Sequence, residues 1–364
     1  MTTVLLAGGG TGGHLMPALA IARATARMEP DWRFSFAGAE RGIEARLLPE
    51  RELPHRLLPL EPLHRRAWWK NLRWLTLAPR LIVLIDRLLD AETPSVVIGT
   101  GGYVSGPVLW RAARRGIPTG ILELDVHPGF ATRRLAGRVD AIWTATPETI
   151  AALPPAVRGR AQVTGAPIEP PDRAREAAAR ERFGLDRDRP VLVITGGSQG
   201  SRALNRLVAT WLSAGGGTGW QVIWATGRHS HDEFAAHHHP PHVTVSPFLD
   251  PMADAWAVAN LAVARAGMMT IAELCAWGIP SLLVPLPSAA ADHQTRNAEA
   301  LEQAGASVHL PQAGLTAERL GTLVDGLGHD VARLASMAAA ARARGKPEAA
   351  ADIATRVRAL ARRT

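Results

Sequence analysis

The chain has 364 residues, with 41 Lys+Arg against 33 Asp+Glu, a formal net charge of +8, and 47% hydrophobic residues. At roughly 100–200 residues per domain that length favours two domains, and the apolar content excludes a largely disordered chain. A single cysteine, Cys275, excludes an intrachain disulfide and an all-cysteine metal site, so a reducing cytoplasm is the expected compartment.

The chain opens on a short apolar run, Val4-Leu-Leu-Ala7, that meets Gly8-Gly-Gly-Thr-Gly-Gly13 and His14. No basic n-region or clean apolar h-region precedes the glycines, so no secretory signal is read. Leu15, Ala18, Leu19 and Ala22 then recur on one helical face. Strand, glycine turn and helix in that order aim backbone N–H groups at one point, where a phosphate is readily bound. Gly8, Gly10 and Gly13 also fit the dinucleotide fingerprint, which wants an acid about 20 residues on. The next predicted strand, Trp32–Phe36, supplies none; the first acid beyond it is Glu40, 27 positions after Gly13. A tight turn without a ligand is the alternative. His14 suits removal of a proton from a sugar hydroxyl, or equally capping and packing.

Between His64 and Arg87, six cations, among them Arg65, Arg66 and Lys70, stand against one acid, Asp86, and are interleaved with Trp68, Trp69 and Trp74. Tryptophan beside cations suits a segment seated on an anionic membrane, and Arg65, Arg66, Trp68, Trp69 and Lys70 are read that way. Leu81 to Leu89 reads as an ordinary helix with a core face. No groove-reading motif orders the cations, so nucleic acid is not an expected partner.

Ser95–Ile98 and Thr119–Leu122 are further predicted strands. Pro167 to Pro190, with four prolines around the charged run Arg173–Arg182, is the expected linker. Asp186-Arg-Asp188 has the form of a metal-holding Asp-x-Asp but reads as a solvated turn. The strand–glycine–helix event recurs 188 positions after the first: Val191–Thr195, then Gly196-Gly-Ser-Gln-Gly200, then Leu204, Leu207, Val208, Trp211 and Leu212 on one face. His229, His231, His237, His238, His239 and His242 lack helical pairing with a carboxylate and read as a surface loop, so no metal is expected.

Gln221–Trp224, Leu261–Ala264 and Ser281–Val284 complete the predicted strands. Their alternation with helices implies an α/β protein of two doubly wound, mostly parallel sheets. Ligands of such sheets sit at the carboxyl ends of strands, so the two are expected to face across a cleft. Glu273, read in the first turn of the helix after Arg265, suits either the helix dipole or the two hydroxyls of a ribose. Gln294 and Asn297, three apart at a helix start, read sugar hydroxyls or cap the helix. The uncharged run Leu274–Ala291 has membrane-spanning length, but Gly278, Pro280, Pro285 and Pro287 break it into helix end, strand and loop.

Five motifs, GGGTGGH (8–14), GTGGYVSGP (99–107), GGSQGSR (196–202), RAGMMTIAE (265–273) and DHQTRNA (292–298), together resemble the MurG family of bacterial peptidoglycan enzymes. These are UDP-N-acetylglucosamine transferases acting on undecaprenyl-diphospho-N-acetylmuramoyl-pentapeptide, lipid I. The resemblance implies a GT-B fold: residues 1–166 an acceptor and membrane domain, 167–340 a UDP-sugar domain, and 341–364 a helix packing back on the first. It implies inverting transfer to the muramoyl C4 hydroxyl by a peripheral protein at the cytoplasmic membrane face, with no cofactor. By likeness Ser198 falls at the diphosphate, Leu249 at the uracil, and Met268, Met269 and Thr270 beside the nucleotide, with Gln199 also counted as substrate-binding. Glu273 falls on the ribose, and Gln294 with Asn297 on the sugar. Thr11, Gly12, Gly13 and His14 face the reacting centre, with His14 the favoured base, and Tyr103 serves the acceptor.

Two stretches depart from the family pattern. Leu122-Glu-Leu-Asp125 stands where the family has His-Glu-Gln-Asn; Glu123 is kept and counted as catalytic, and Asp125 is a second base candidate or a holder of His14. Gly165-Ala-Pro-Ile-Glu169 stands where the family has Gly-Asn-Pro-Val-Arg, so Glu169 replaces an arginine near the diphosphate, with Arg202 or Arg265 as the expected substitute. Competing readings are another GT-B enzyme with a different lipid acceptor, a UDP-N-acetylglucosamine epimerase, a nicotinamide-dependent oxidoreductase, and an inactive UDP-sugar-binding homologue.

Overall fold

The computed structural model describes residues 1–61, 74–289 and 292–362. The expected membrane residues Arg65, Arg66, Trp68, Trp69 and Lys70 lie outside the described residues. The chain divides into two compact units, Met1–Ile168 with Glu348–Thr364, and Glu169–Pro347.

Unit 1 holds seven strands: β1 (Thr3–Gly8), β2 (Arg33–Ala39), β3 (His55–Leu58), β4 (Val96–Gly101), β5 (Thr119–Glu123), β6 (Ala141–Thr144) and β7 (Ala161–Val163). All pair in parallel, in the order β3-β2-β1-β4-β5-β6-β7. Parallel strands are covered on both faces, which is why Val4, Leu5, Leu6, Val96, Val97 and Ile98 run as unbroken apolar residues with no exposed surface. One core joins Leu5, Val97 and Ile121 of the sheet to Leu81, Ile85, Leu88 and Leu89 of the helix Trp74–Glu92. The helix Ala349–Ala361 returns to this unit, packs on the helix Gly12–Met28, and buries Ile353, Ala354 and Val357 completely.

Unit 2 repeats the plan with β8 (Val191–Thr195), β9 (Gln221–Ala225), β10 (Val243–Ser246), β11 (Leu261–Ala264), β12 (Ser281–Leu283) and β13 (Ser307–His309), all parallel, in the order β10-β9-β8-β11-β12-β13. Residues 167–190, expected as a linker, instead carry the helix Arg175–Phe183, packed on the helix Met252–Val258. Arg175 and Arg182 both pair with Asp254, at 3.0 and 2.6 Å, so the charge run is one side of a helix–helix contact.

In each sheet the strand order reverses beside the strand that carries a glycine turn: between β1 and β4, and between β8 and β11. Helices leave these neighbours in opposite directions, which opens a crevice at the carboxyl ends of the strands. Both glycine turns therefore stand where a ligand is received. Among the described residues no helix is long and apolar enough to cross a membrane; Leu274–Leu286 is a helix end, β12 and the start of a loop.

Candidate functional site

The first glycine turn runs from β1 into the helix Gly12–Met28, and the turn after β4 lies directly against it. A Cβ on Gly101 would stand 2.5 Å from His14 Nδ1, and one on Gly102 would stand 2.1 Å from the Gly9 carbonyl oxygen. Both glycines have positive φ, +105° and +76°, so only glycine brings the two turns into contact. Thr100 Oγ1 adds a hydrogen bond to the His14 carbonyl at 2.8 Å. The Tyr103 ring covers Gly10, where a Cβ would come within 2.6 Å of it. The motifs at 8–14 and 99–107 thus form one surface, with Thr11 and Gly13 exposed and Gly12, His14 and Tyr103 half-buried.

Behind this turn sits a carboxylate that the sequence reading missed. Glu44 has no exposed surface and accepts hydrogen bonds from the N–H of Gly10 at 2.9 Å and of Ala39 at 2.8 Å. A Cβ on Gly9, Gly38 or Gly42 would lie 2.0, 2.3 or 2.2 Å from its side chain, so three glycines make room for one acid. Nothing in the spacing reveals that three separated glycines meet there. The Gly10 N–H, which a dinucleotide site would offer to a phosphate, is already taken by an anion. With the missing ribose acid, this weighs against the nicotinamide reading. Burial, then the charges of Glu44 and Glu61, hold the Tyr103 phenol above its usual range, so it stays a neutral hydrogen-bond donor.

Further along this sheet, Glu123 is buried and accepts bonds from the Thr132 hydroxyl at 2.5 Å, the Gly129 N–H at 2.8 Å and the Asp125 N–H at 3.2 Å. Both its oxygens serve the turn that presents Asp125, which is itself half-buried. Burial pushes the Glu123 carboxyl up to about 7. Leu122, where the family has histidine, is a core residue.

In unit 2 the second glycine turn leads into the helix Arg202–Ser213, with Ser198 and Gln199 exposed at its tip. Ser201 caps the helix by accepting from the Leu204 N–H. The same hydroxyl accepts from Arg265 Nη2 at 2.6 Å. Arg265, 6% exposed at the end of β11, also donates to the carbonyls of Val284 and Pro285 and to Gln312 Oε1 at 2.9, 2.8 and 2.6 Å. All these acceptors are neutral, and no carboxylate pairs with it among the described residues. Burial lowers the Arg265 guanidinium to about 10, which leaves it charged at neutral pH. Arg202, the other expected substitute, is exposed and pairs with Glu233 at 2.6 Å.

The helix after Arg265 starts at Met268, so Glu273 lies in its second turn, not the first. That corrects the sequence reading and weakens the dipole explanation, whose effect fades within one turn. A helical side chain leans toward the N-terminus, placing the Glu273 carboxylate over the turn of Met269 and Thr270. Its Oε2 accepts from the indole N–H of Trp256 at 2.9 Å. Burial first, with the nearby charge of Glu169 adding to it, raises the Glu273 carboxyl to about 7. Leu249 and Met268 are buried, and Asn297, 2% exposed, donates to the Ala266 carbonyl and so anchors the start of that helix. Gln294 Oε1 accepts from the Leu286 N–H at 2.9 Å, leaving its amide nitrogen for other partners.

Two parallel α/β units with glycine turns at their switch points define the GT-B architecture, and solved structures agree. The crystal structure of MurG from Acinetobacter baumannii superimposes with a TM-score of 0.75 at 28% identity, covering 99% of this chain and 100% of that one. The calicheamicin glycosyltransferase CalG4, at 18% identity and a TM-score of 0.67, shares the fold. The N-terminal domain of glycosyltransferase family 28 matches residues 4–144, and the C-terminal domain of that family matches residues 191–357. The UDP-N-acetylglucosamine–N-acetylmuramyl-(pentapeptide) pyrophosphoryl-undecaprenol N-acetylglucosamine transferase of Salinibacter ruber is 41% identical over 99% of this chain and 97% of that protein. The chain belongs to glycosyltransferase family 28 and, within it, to the MurG family.

Two outcomes are expected from this geometry. Gly101→Ala places a methyl group against the His14 ring and forces a glycine-only backbone, a strain of about 1–3 kcal/mol. It lowers turnover with UDP affinity unchanged, as steady-state kinetics and calorimetry will record. Glu123 and Glu273 keep their protons in the folded chain between about 4.5 and about 7, where an unfolded chain has lost them. Stability therefore falls as pH rises through that window and levels off above it. Glu123→Gln makes the fall shallower when urea midpoints are measured across the same range.

Proposed function

We propose that the protein transfers N-acetylglucosamine from UDP-N-acetylglucosamine to the C4 hydroxyl of the muramoyl sugar of lipid I, with inversion, at the cytoplasmic face of the cell membrane. The observation that carries the placing of the donor is the buried, uncompensated Arg265 guanidinium against the cap of the second glycine turn. A diphosphate there meets N–H groups of a helix N-terminus in front and a cation behind. Arg265 thereby supplies the positive charge lost where Glu169 replaces the family's arginine. Leu249 and Met268 offer apolar surface to the uracil, with Met269 and Thr270 beside it, and Glu273 accepts from the ribose hydroxyls. The Gln294 amide nitrogen contacts the sugar, while Asn297 acts by fixing the helix start.

In the transfer, the acceptor hydroxyl oxygen attacks the anomeric carbon from the face opposite the diphosphate. The bond from that carbon to the β-phosphate oxygen breaks, and its electron pair leaves with UDP. His14, held by the glycine turns, takes the hydroxyl proton. Thr11, Gly12 and Gly13 border the reacting centre and the neutral Tyr103 phenol donates to the acceptor. Asp125 assists His14, and Glu123 acts only by shaping the turn that carries Asp125.

Purified protein given radiolabelled UDP-N-acetylglucosamine and a lipid I analogue forms the labelled disaccharide lipid; no product beside an active control enzyme overturns the proposal. His14→Ala lowers kcat by about 10²–10⁴, the usual contribution of a general base, with UDP affinity unchanged. For the membrane, Arg65, Arg66 and Lys70 meet anionic headgroups while Trp68 and Trp69 enter the interface. Changing both tryptophans to serine reduces co-sedimentation with phosphatidylglycerol vesicles, and equal binding removes this assignment.

A further inference from the structure

We infer that Trp256 is a positioning residue for nucleotide binding: its indole N–H fixes one oxygen of the Glu273 carboxylate so that the other is presented to the ribose. The inference rests on the proposed contact between Glu273 and the ribose. Trp256 lies on the helix Met252–Val258 and is 2% exposed, so its ring cannot turn without disturbing the core. The 2.9 Å bond from Nε1 ends on Oε2. Oε1 takes no hydrogen bond among the described residues. A carboxylate held at one oxygen has a defined orientation, and ordering it in advance removes a cost from binding.

The N–H has a second consequence. Burial and Glu169 favour the neutral acid, whereas the Trp256 bond favours the carboxylate, the form that accepts from two hydroxyls. Three other charged groups on the elements packed here lie toward other parts of the unit. Asp254, on the helix of Trp256, pairs with Arg175 and Arg182. Arg342 and Arg344, on the helix Val331–Arg344, face Gly278 and Cys275 at the far end of the Glu273 helix. Trp256 is thus the group that draws the Glu273 carboxyl down against burial and Glu169, so that it loses its proton near neutrality rather than above it.

The test is UDP binding by calorimetry on the full chain, from about pH 6 to about pH 9, with 2′,3′-dideoxy-UDP as a second probe. In the unsubstituted protein, UDP affinity rises as Glu273 loses its proton and then levels off. Trp256→Phe keeps an aromatic ring but removes the donor. It weakens UDP binding about tenfold at pH 7, the size of one hydrogen bond to a charged group. It moves the pH midpoint upward, so that the part of the loss due to protonation is recovered at about pH 9 while the part due to lost orientation remains. It raises the KM for the donor with little change in kcat. A loss equal at every pH marks packing alone and overturns the inference, as does an unshifted midpoint. Glu273→Gln separates the underlying reading. If that variant binds UDP normally and the protein does not distinguish UDP from the dideoxy probe, the ribose contact itself fails. If it weakens UDP and abolishes the discrimination while Trp256→Phe changes nothing, only the role of Trp256 fails.

Discussion

Two turns built from the same kind of sequence carry opposite buried charges, Glu44 behind the first and Arg265 behind the second, and the proposed placement of substrates depends on that difference. Each turn joins a strand at a switch point to a helix N-terminus, so backbone alone would make both attractive to phosphate. Glu44 sits behind the first and consumes the Gly10 N–H. Arg265 sits behind the second and holds Ser201. At an effective dielectric of 20, a unit charge about 5 Å from a phosphate charge is worth about 3 kcal/mol, attractive in one turn and repulsive in the other. That is enough to choose between otherwise similar sites. On the proposed reading, the first turn is left to place a histidine and receive a neutral hydroxyl, and the second to receive a diphosphate.

The departures at 122 and 169 are easier to understand on this basis. Leu122 is a strand residue inside the sheet, where an apolar side chain suits the packing. Glu169 adds its negative charge beside Glu273, and so makes that carboxyl harder to ionise. Glu169 raises the demand on the Trp256 bond, whereas Leu122 adds to the core of the sheet.

What the sequence made legible follows from how local each signal is. The apolar, buried strands β1, β4, β8 and β11 and the two glycine turns announce themselves within a dozen residues, and they form the switch points of both sheets. The edge strands β3, β7, β10 and β13, three or four residues each and partly exposed, carry no comparable pattern and owe their form to pairing with a neighbour. The helix in 167–190 was hidden because its partner, Asp254, is far away in sequence. Glu44 and Trp256 escaped notice for the same reason: each matters through what it meets in space, whereas His14 and Glu273 stand inside recognisable motifs.

The helix Ala349–Ala361 gives the fold a temporal order. It belongs to unit 1, yet it is synthesised after every residue of unit 2. While the chain emerges from the ribosome, the helix Gly12–Met28 therefore waits with an uncovered apolar face, and unit 2 folds as an uninterrupted segment in the meantime. The part that holds His14 is closed last. A nascent chain that stalls before this helix has a complete unit 2 and an unsealed unit 1, which exposes it to chaperones and proteases.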